Sequence, residues 1–263
     1  MIELHRREDG SPLRIGHRGA AALAPENTIG AFRVAVAAGV DLVEFDVVDL
    51  PRGPLVVAHS RHLDEVSHGA ATGSLRTLSL DELRHVAPGV PTFEEALALF
   101  AEEAPHVGLH VDLKLHTRLD ELAAQVQRFG LAERTVVSST SPSALRIVAR
   151  HGAGLRIGIT YPHDRLGVSR RPRTWPAVAL ALRAMRASVP LRVGRLLRRA
   201  NATALMLQHR VVTPAAVARA HGFGAAVLAW TVDDPADLER VVAAGVDGVI
   251  TNDPRIFVAT LRS

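Results

Sequence analysis

The chain has 263 residues, 48% of them hydrophobic, 31 Lys plus Arg against 27 Asp plus Glu, and no cysteine. That length suits one large core and a single domain over residues 1–263, while the missing cysteine excludes a disulfide framework, Cys-ligated zinc and a thiolate nucleophile. The net charge of +4 is local: Arg165 to Arg199 carries ten arginines and no acid, so the remainder carries −6 and a general nucleic-acid surface is not expected.

Short apolar runs rich in β-branched residues alternate with helical patterns, the cadence of βα units. Met1 to Gly10 is charged throughout and lacks the apolar core of a signal peptide. No segment approaches the roughly 20 apolar residues of a membrane span, so a soluble, cytoplasmic protein is expected. The first strand is expected over Leu13–His17, followed by a helix over Thr28–Ala38 with Asn27 as its cap and Gly39 as its terminator. Strands follow at Asp41–Val48 and Leu55–His59, joined only by Asp49 to Pro54, whereas a parallel crossover needs about a dozen residues. Leu55–His59 is therefore either an antiparallel return above a barrel or a barrel strand reached without a helix.

Helices over Ser79–Val86 and Thr92–Glu103 lead to a strand at Leu109–Lys114. Beyond it come a helix at Arg118–Phe129, a strand at Thr135–Ser139, a helix at Pro142–Arg150 and a strand at Arg156–Thr160. The Arg-rich stretch from Tyr161 to Ala200 places apolar residues and arginines at helical spacings over Trp175–Leu182 and Leu191–Leu197. The chain closes with strands at Ala204–Gln208, Ala225–Val232 and Asp247–Thr251 and helices at Pro214–Ala220 and Pro235–Ala244. These elements predict an α/β fold: a TIM-type (β/α)8 barrel with a short hairpin after strand 2 and a basic helical insertion at about 161–200. Its active site would lie at the C-terminal ends of the strands. A doubly wound open sheet is the competing arrangement.

On a strand, alternate residues share a face. His110, Asp112, Lys114 and His116 thus fall on one side, with Leu109, Val111, Leu113 and Leu115 on the other. Four polar residues filling core would be costly, because buried charges need partners. Glu44 and Asp46 likewise share a face of their strand, opposite Val43, Phe45 and Val47. With Asp112 they form an all-oxygen set of three carboxylates, a donor chemistry preferred by Mg2+ or Ca2+ over zinc, so one divalent cation is expected. His17 and His59 end strands beside this set, and imidazoles there can serve as general acid and general base. Lys114 is the only lysine among 31 basic residues. Beside Asp112, a compact ammonium fits where a planar guanidinium needs more room.

The motifs His17-Arg18-Gly19, Ala24-Pro25-Glu26-Asn27-Thr28, Glu44-Phe45-Asp46-Val47 and Val56-Val57-Ala58-His59 together resemble the glycerophosphodiester phosphodiesterase family. Leu63 to Gly73 followed by Thr77–Leu83, Pro91 to Glu95, Asp112-Leu113-Lys114, Val137-Ser138-Ser139, Trp230-Thr231-Val232 and Gly245 to Thr251 extend the match over nearly the whole chain, leaving Arg165–Ala200 unaccounted for. The resemblance implies a TIM barrel and metal-dependent hydrolysis of a glycerophosphodiester, of the glycerophosphocholine or glycerophosphoethanolamine class, to sn-glycerol 3-phosphate and an alcohol. It implies His17 and His59 as the acid/base pair and Glu44, Asp46 and Asp112 as metal ligands, with Arg18 and Lys114 on the phosphate. Trp230, ending a strand, lines the pocket for the alcohol or packs in the core.

Arg18 has a structural ion pair as its alternative role, and Glu26 and Asn27 are expected as helix caps. The chain departs from the family pattern in three places: Ser60 follows His59 where Asp is usual, Asp112 stands where Glu is common, and Asn252 replaces an Asp often found after the last strand. Two other activities compete. One is lysophospholipase D-like action at a membrane surface reached through Arg165–Arg199, against which the same segment could simply coat the barrel's side or a subunit interface. The other is a non-catalytic barrel that binds phosphodiesters or lipids.

Overall fold

The computed structural model describes residues 2–67, 69–162 and 175–260. Arg165, Arg170, Arg171 and Arg173 of the basic segment lie outside the described residues. Nine strands among the described residues form one sheet: β1 (Leu13–Gly16), β2 (Leu42–Asp49), β3 (Leu55–Val57), β4 (Gly108–Leu113), β5 (Thr135–Ser139), β6 (Arg156–Tyr161), β7 (Ala204–Gln208), β8 (Ala226–Trp230) and β9 (Gly248–Thr251). Eight of them run parallel, and β1 pairs with both β2 and β9, which closes the sheet into a TIM barrel. Of the two readings of Leu55–His59, the antiparallel return holds: β3 pairs with the far end of β2 through Val47↔Val57 and Val48↔Val56.

The helices are α1 (Ile29–Ala37), α2 (Leu63–Val66), α3 (Leu80–Val86), α4 (Phe93–Glu102), α5 (Leu119–Arg128), α6 (Pro142–His151), α7 (Trp175–Ala200), α8 (Pro214–His221) and α9 (Pro235–Ala243). Their starts are chemically specified. Ser79 and Thr92 each form a reciprocal capping box, with Glu82 and Glu95, at α3 and α4. The Ser141, Thr213 and Asp234 side chains cap α6, α8 and α9, each followed by a Pro whose missing N–H costs nothing there. Two expectations are corrected. The cap of α1 is Thr28, whose hydroxyl accepts from Ala31 N, and not Asn27. The insertion's two helical stretches form one 26-residue helix that runs through Pro190, because a proline costs a helix one hydrogen bond and the flanking apolar residues still pack. The short helix α2 had no periodic signal in its four residues. No helix among the described residues is long and apolar enough to cross a membrane.

The two-residue period of the strands sorts the chain into layers. Val43, Phe45 and Val47 of β2 and Leu109, Val111 and Leu113 of β4 face outward, into the main core under the helices with Phe32, Phe93 and Phe100. The alternate positions point into the barrel. Toward the strand starts these are apolar, and Leu13, Ile15, Leu42, Val136, Ala204, Ala226 and Leu228 fill the lower barrel, with Leu4 of the N-terminal segment joining them. That segment is tied down by Arg6, which donates to the carbonyls of Val246 and Val242 and, through its backbone N–H, to the buried Asp247 Oδ1 at 3.4 Å; Asp247 Oδ2 in turn accepts from Val227 N and His221 Nε2, each at 2.7 Å. One turn of the period further up, the inward positions become polar, and the site begins there.

Candidate active site

Inward parity carries Ile15 to His17 on β1, Leu42 to Glu44 and Asp46 on β2, Gly108 to His110, Asp112 and Lys114 on β4, and Val136 to Ser138 on β5. Pairing of β2 with β4 sets Glu44 beside His110 and Asp46 beside Asp112. These side chains line a cavity of about 1060 Å3 at the barrel mouth, together with Arg18, His59, Thr160, Met206 and Trp230. The structure therefore brings together eight residues singled out from the sequence: His17, Arg18, Glu44, Asp46, His59, Asp112, Lys114 and Trp230.

The three carboxylates can each offer one oxygen, and these atoms lie within 4.8 Å of one another. Glu44 and Asp46 are buried. Burial, reinforced by the charges of Asp46 and Asp112, pushes the Glu44 carboxyl well above its ordinary range. Asp46 goes the other way: burial would raise it, but Lys114, Arg18 and His59 outweigh burial and hold it below the usual carboxylate range. A site that forces one of its three acids toward the neutral form lacks positive charge, and a hard divalent cation bound by oxygen donors would supply it. The residues present fit such an ion.

Two cations already brace the set. Lys114 Nζ lies 2.5 Å from Asp112 Oδ2 and 3.1 Å from Asp46 Oδ1, and these carboxylates outweigh the burial that would otherwise lower its pKa. The lone lysine thus bridges two strands through two carboxylates, a place for a compact ammonium. Arg18 forms the ion pair weighed as its alternative role: Nη1 donates to Glu26 Oε1 at 2.7 Å, and Nε sits 3.1 Å from Asp46 Oδ2. Its own backbone N–H donates to Glu44 Oε2 at 2.8 Å, which requires Arg18 to take φ +49°. Gly19 follows at φ +87°, where a Cβ would stand 2.6 Å from the Ala31 carbonyl carbon, so only glycine lets this turn close on α1.

Glu26, like Asn27, is not a cap: it holds Arg18. Asn27 takes φ +58° and exchanges two hydrogen bonds with Asp46, Nδ2 to Oδ2 at 3.0 Å and Asp46 N to Oδ1 at 3.2 Å. Their adjacency to Thr28 hid this, because Asx residues before a helix usually cap it.

Both histidines line the same cavity as the acids. His17 Nε2 lies 3.8 Å from Glu44 Oε2, and its Nδ1 lies 2.6 Å from Asn252 Oδ1. Asn252 Nδ2 donates to Asp233 Oδ2 at 2.6 Å, which leaves its oxygen for His17. His17 Nδ1 must then carry the proton, and Nε2 presents a lone pair. Burial and the Arg18 charge lower the His17 pKa to about 4, so the ring is neutral at pH 7. His59 is less enclosed; burial lowers its pKa while Asp46 opposes that. Its Nδ1 lies 3.7 Å from Glu65 Oε2 on α2, so the carboxylate missing at Ser60 has a counterpart five residues on. Ser60 itself accepts from His62 N at 3.0 Å.

Asp112 is oriented from below. Ser138 Oγ donates to Asp112 Oδ1 at 2.5 Å and accepts from His110 Nε2 at 2.8 Å. Sequence reasoning missed Ser138, Glu65 and Asp233 as supports. The inward parity of Ser138 was the one signal available, since Glu65 and Asp233 lie outside the strands. His116, grouped with the polar face of β4, lies beyond the strand end and is exposed.

A model of the glycerophosphoryl diester phosphodiesterase family matches residues 17–256. A glycerophosphodiester phosphodiesterase of Caldanaerobacter subterraneus subsp. tengcongensis is 28% identical, over 95% of this chain and 98% of its own length. Among solved structures, the glycerophosphodiester phosphodiesterase of Thermotoga maritima has a TM-score of 0.71 at 23% identity, covering 95% of this chain and 98% of that one. An Oleispira antarctica phosphodiesterase, solved in complex with the product sn-glycerol-3-phosphate, has a TM-score of 0.71 at 20% identity, covering 96% and 97%. These two structures share the fold. With the family model spanning nearly the whole chain, the chain belongs to the glycerophosphoryl diester phosphodiesterase family, enzymes of the phosphoric diester hydrolase class.

Proposed function

We propose that the protein hydrolyses glycerophosphodiesters of the glycerophosphocholine and glycerophosphoethanolamine class to sn-glycerol 3-phosphate and the free alcohol. Glu44, Asp46 and Asp112 would hold one divalent cation, Mg2+ or Ca2+, matching the hard oxygen donors. When bound, such an ion neutralises charge on a phosphoryl oxygen and favours in-line displacement at phosphorus. The observation that carries the reading is the fixed tautomer of His17. Its neutral Nε2, backed by Asn252 and Asp233, faces the acid cluster and can accept the proton of the attacking hydroxyl or water. His59, on the wall of the same cavity and near Glu65, donates a proton to the departing alkoxide. Arg18 and Lys114 present positive charge to the non-bridging oxygens, and the Trp230 indole flanks the alcohol. The Trp230 Nε1 is buried without a hydrogen-bond partner among the described residues, so it has a donor to offer. The product bound to the Oleispira antarctica protein is the one expected here.

The test is release of glycerol phosphate from glycerophosphocholine with added Mg2+ or Ca2+. Turnover should stop on chelation and in His17→Ala. Binding of the diester without turnover would favour the non-catalytic barrel, and unchanged turnover in His17→Ala would remove the acid/base assignment.

A further inference from the structure

The basic helix α7 does not fit the barrel it flanks. β6 has 6 residues, about 20 Å at 3.3 Å per residue, a length that about 13 residues of helix would span. α7 has 26 residues, so half of it has no strand to cover. Its last turn lies at the barrel's lower end, where Ala202 N bonds Leu197 O and Thr203 N bonds Ile157 O. The chain leaves β6 at the mouth, where Thr160 and Pro162 line the cavity. The surplus half therefore projects past the mouth. Burial agrees: Val189, Val193, Leu197 and Ala200 are buried, whereas no described side chain from Leu180 to Ser188 is, and Leu182 and Met185 are only partly covered.

The uncovered face has a particular chemistry. Leu180 and Leu191 are 70% and 87% exposed, among the few large apolar side chains so open. They stand about three turns apart on the same side at 3.6 residues per turn. Arg183 and Arg195 are exposed within about 80° of them around the helix, Arg186 and Arg192 are exposed further round, and the helix contains no acidic residue. Arg192 Nη1 also donates to the Tyr161 hydroxyl at the end of β6, at 2.9 Å, which ties this face to the rim of the cavity. Exposed leucines among unopposed arginines match a surface that is anionic outside and apolar beneath.

We infer that the exposed face of α7 from Leu180 to Arg195 docks on an anionic lipid bilayer and seats the cavity mouth against it, so that phosphodiesters carried by lipids reach the site. Docking stands on the geometry of α7 alone; the substrate consequence rests on the phosphodiesterase reading above. The experiment uses the full chain with vesicles of phosphatidylcholine, with and without phosphatidylglycerol, and compares wild type with Arg183→Gln/Arg186→Gln and Leu180→Ser/Leu191→Ser. Sedimentation should show binding only to the anionic vesicles, weakened by salt, with each arginine removed lowering the partition coefficient about fivefold. Both variants should turn over glycerophosphocholine as wild type does, which also shows that they fold, while losing activity on a lysophospholipid embedded in anionic vesicles. Equal binding to neutral and anionic vesicles, or no binding, overturns docking. So does lipid-free self-association that the variants abolish, since a second copy then covers the face. Vesicle binding without turnover of either diester leaves docking intact and refutes the phosphodiesterase reading instead.

Discussion

Replacing Asn252 with Ala removes the acceptor that fixes the His17 proton. At rest, His17 Nδ1 is deprived of its 2.6 Å bond to Asn252 Oδ1, a neutral hydrogen bond worth about 1 kcal/mol. As Nε2 takes a proton the ring becomes an imidazolium, and the same bond becomes charge-assisted, worth about 1.5–3 kcal/mol. The difference, of order 1–2 kcal/mol, belongs to the barrier, and free exchange between two tautomers adds a small further factor. Together they predict a fall in kcat of about 10- to 100-fold. KM should stay within about threefold, because Asn252 does not line the cavity and an interaction made only during reaction leaves ground-state binding alone. Asp233→Asn is a milder version, since the 252 amide loses the carboxylate that sets its orientation, and a loss of about threefold to tenfold is expected. Steady-state release of glycerol phosphate from glycerophosphocholine measures both. A kcat for Asn252→Ala within about twofold of wild type, or a loss confined to KM, would refute the tautomer argument.

Other outcomes follow from the same geometry. Lys114→Met strips the ammonium from Asp46 and Asp112 and should destabilise the metal-free protein by about 3 kcal/mol in urea unfolding, with kcat down at least about 100-fold; stability equal to wild type would show that the bridge is idle. Lys114→Arg should restore little of either, because a guanidinium fork does not fit a place shaped for a point charge, and full rescue would contradict that. His110 is buried with a pKa lowered to about 4, so it binds fewer protons folded than unfolded between its folded value and the ordinary histidine value. Stability should therefore fall as pH drops through that window, and in chelator His110→Gln should flatten the fall by about 3 kcal/mol; a parallel pH profile would sink this assignment. Asp46→Asn should abolish turnover and weaken calorimetric binding of Mg2+ or Ca2+ at least about tenfold, and undiminished affinity would place the ion elsewhere.

The barrel was legible because its strands obey a period of two. Val43, Phe45 and Val47 announced the outward face of β2, so Glu44 and Asp46 had to point inward, and the same parity placed Asp112 and Lys114. The short link from Asp49 to Pro54 was enough to foresee a hairpin in place of a βα unit. What stayed hidden involved residues whose role depends on a partner distant in sequence. Asn27 looks like a helix cap until Asp46, 19 residues away, is beside it. Asp233 and Asn252 meet only when β8 and β9 lie side by side, with the Asn252 backbone N–H 2.8 Å from Asp233 Oδ1. That pairing also gives a reason for asparagine at 252, since a second carboxylate facing Asp233 would repel it. Glu65 reaches His59 from a helix of four residues, too short to show a period. The continuity of α7 through Pro190 did not show in the two separate stretches Trp175–Leu182 and Leu191–Leu197; Val189 and Val193, on either side of the proline, are buried and hold the helix together.

The central claim is that three carboxylates from two strands share one divalent ion in a cavity also lined by two imidazoles. Anomalous diffraction from a crystal grown with Mn2+ tests it most directly. One peak should appear about 2.0–2.6 Å from oxygens of Glu44, Asp46 and Asp112, in the cavity that His17 and His59 line. A peak at another cluster, or an ion that omits any of the three acids, would contradict the account.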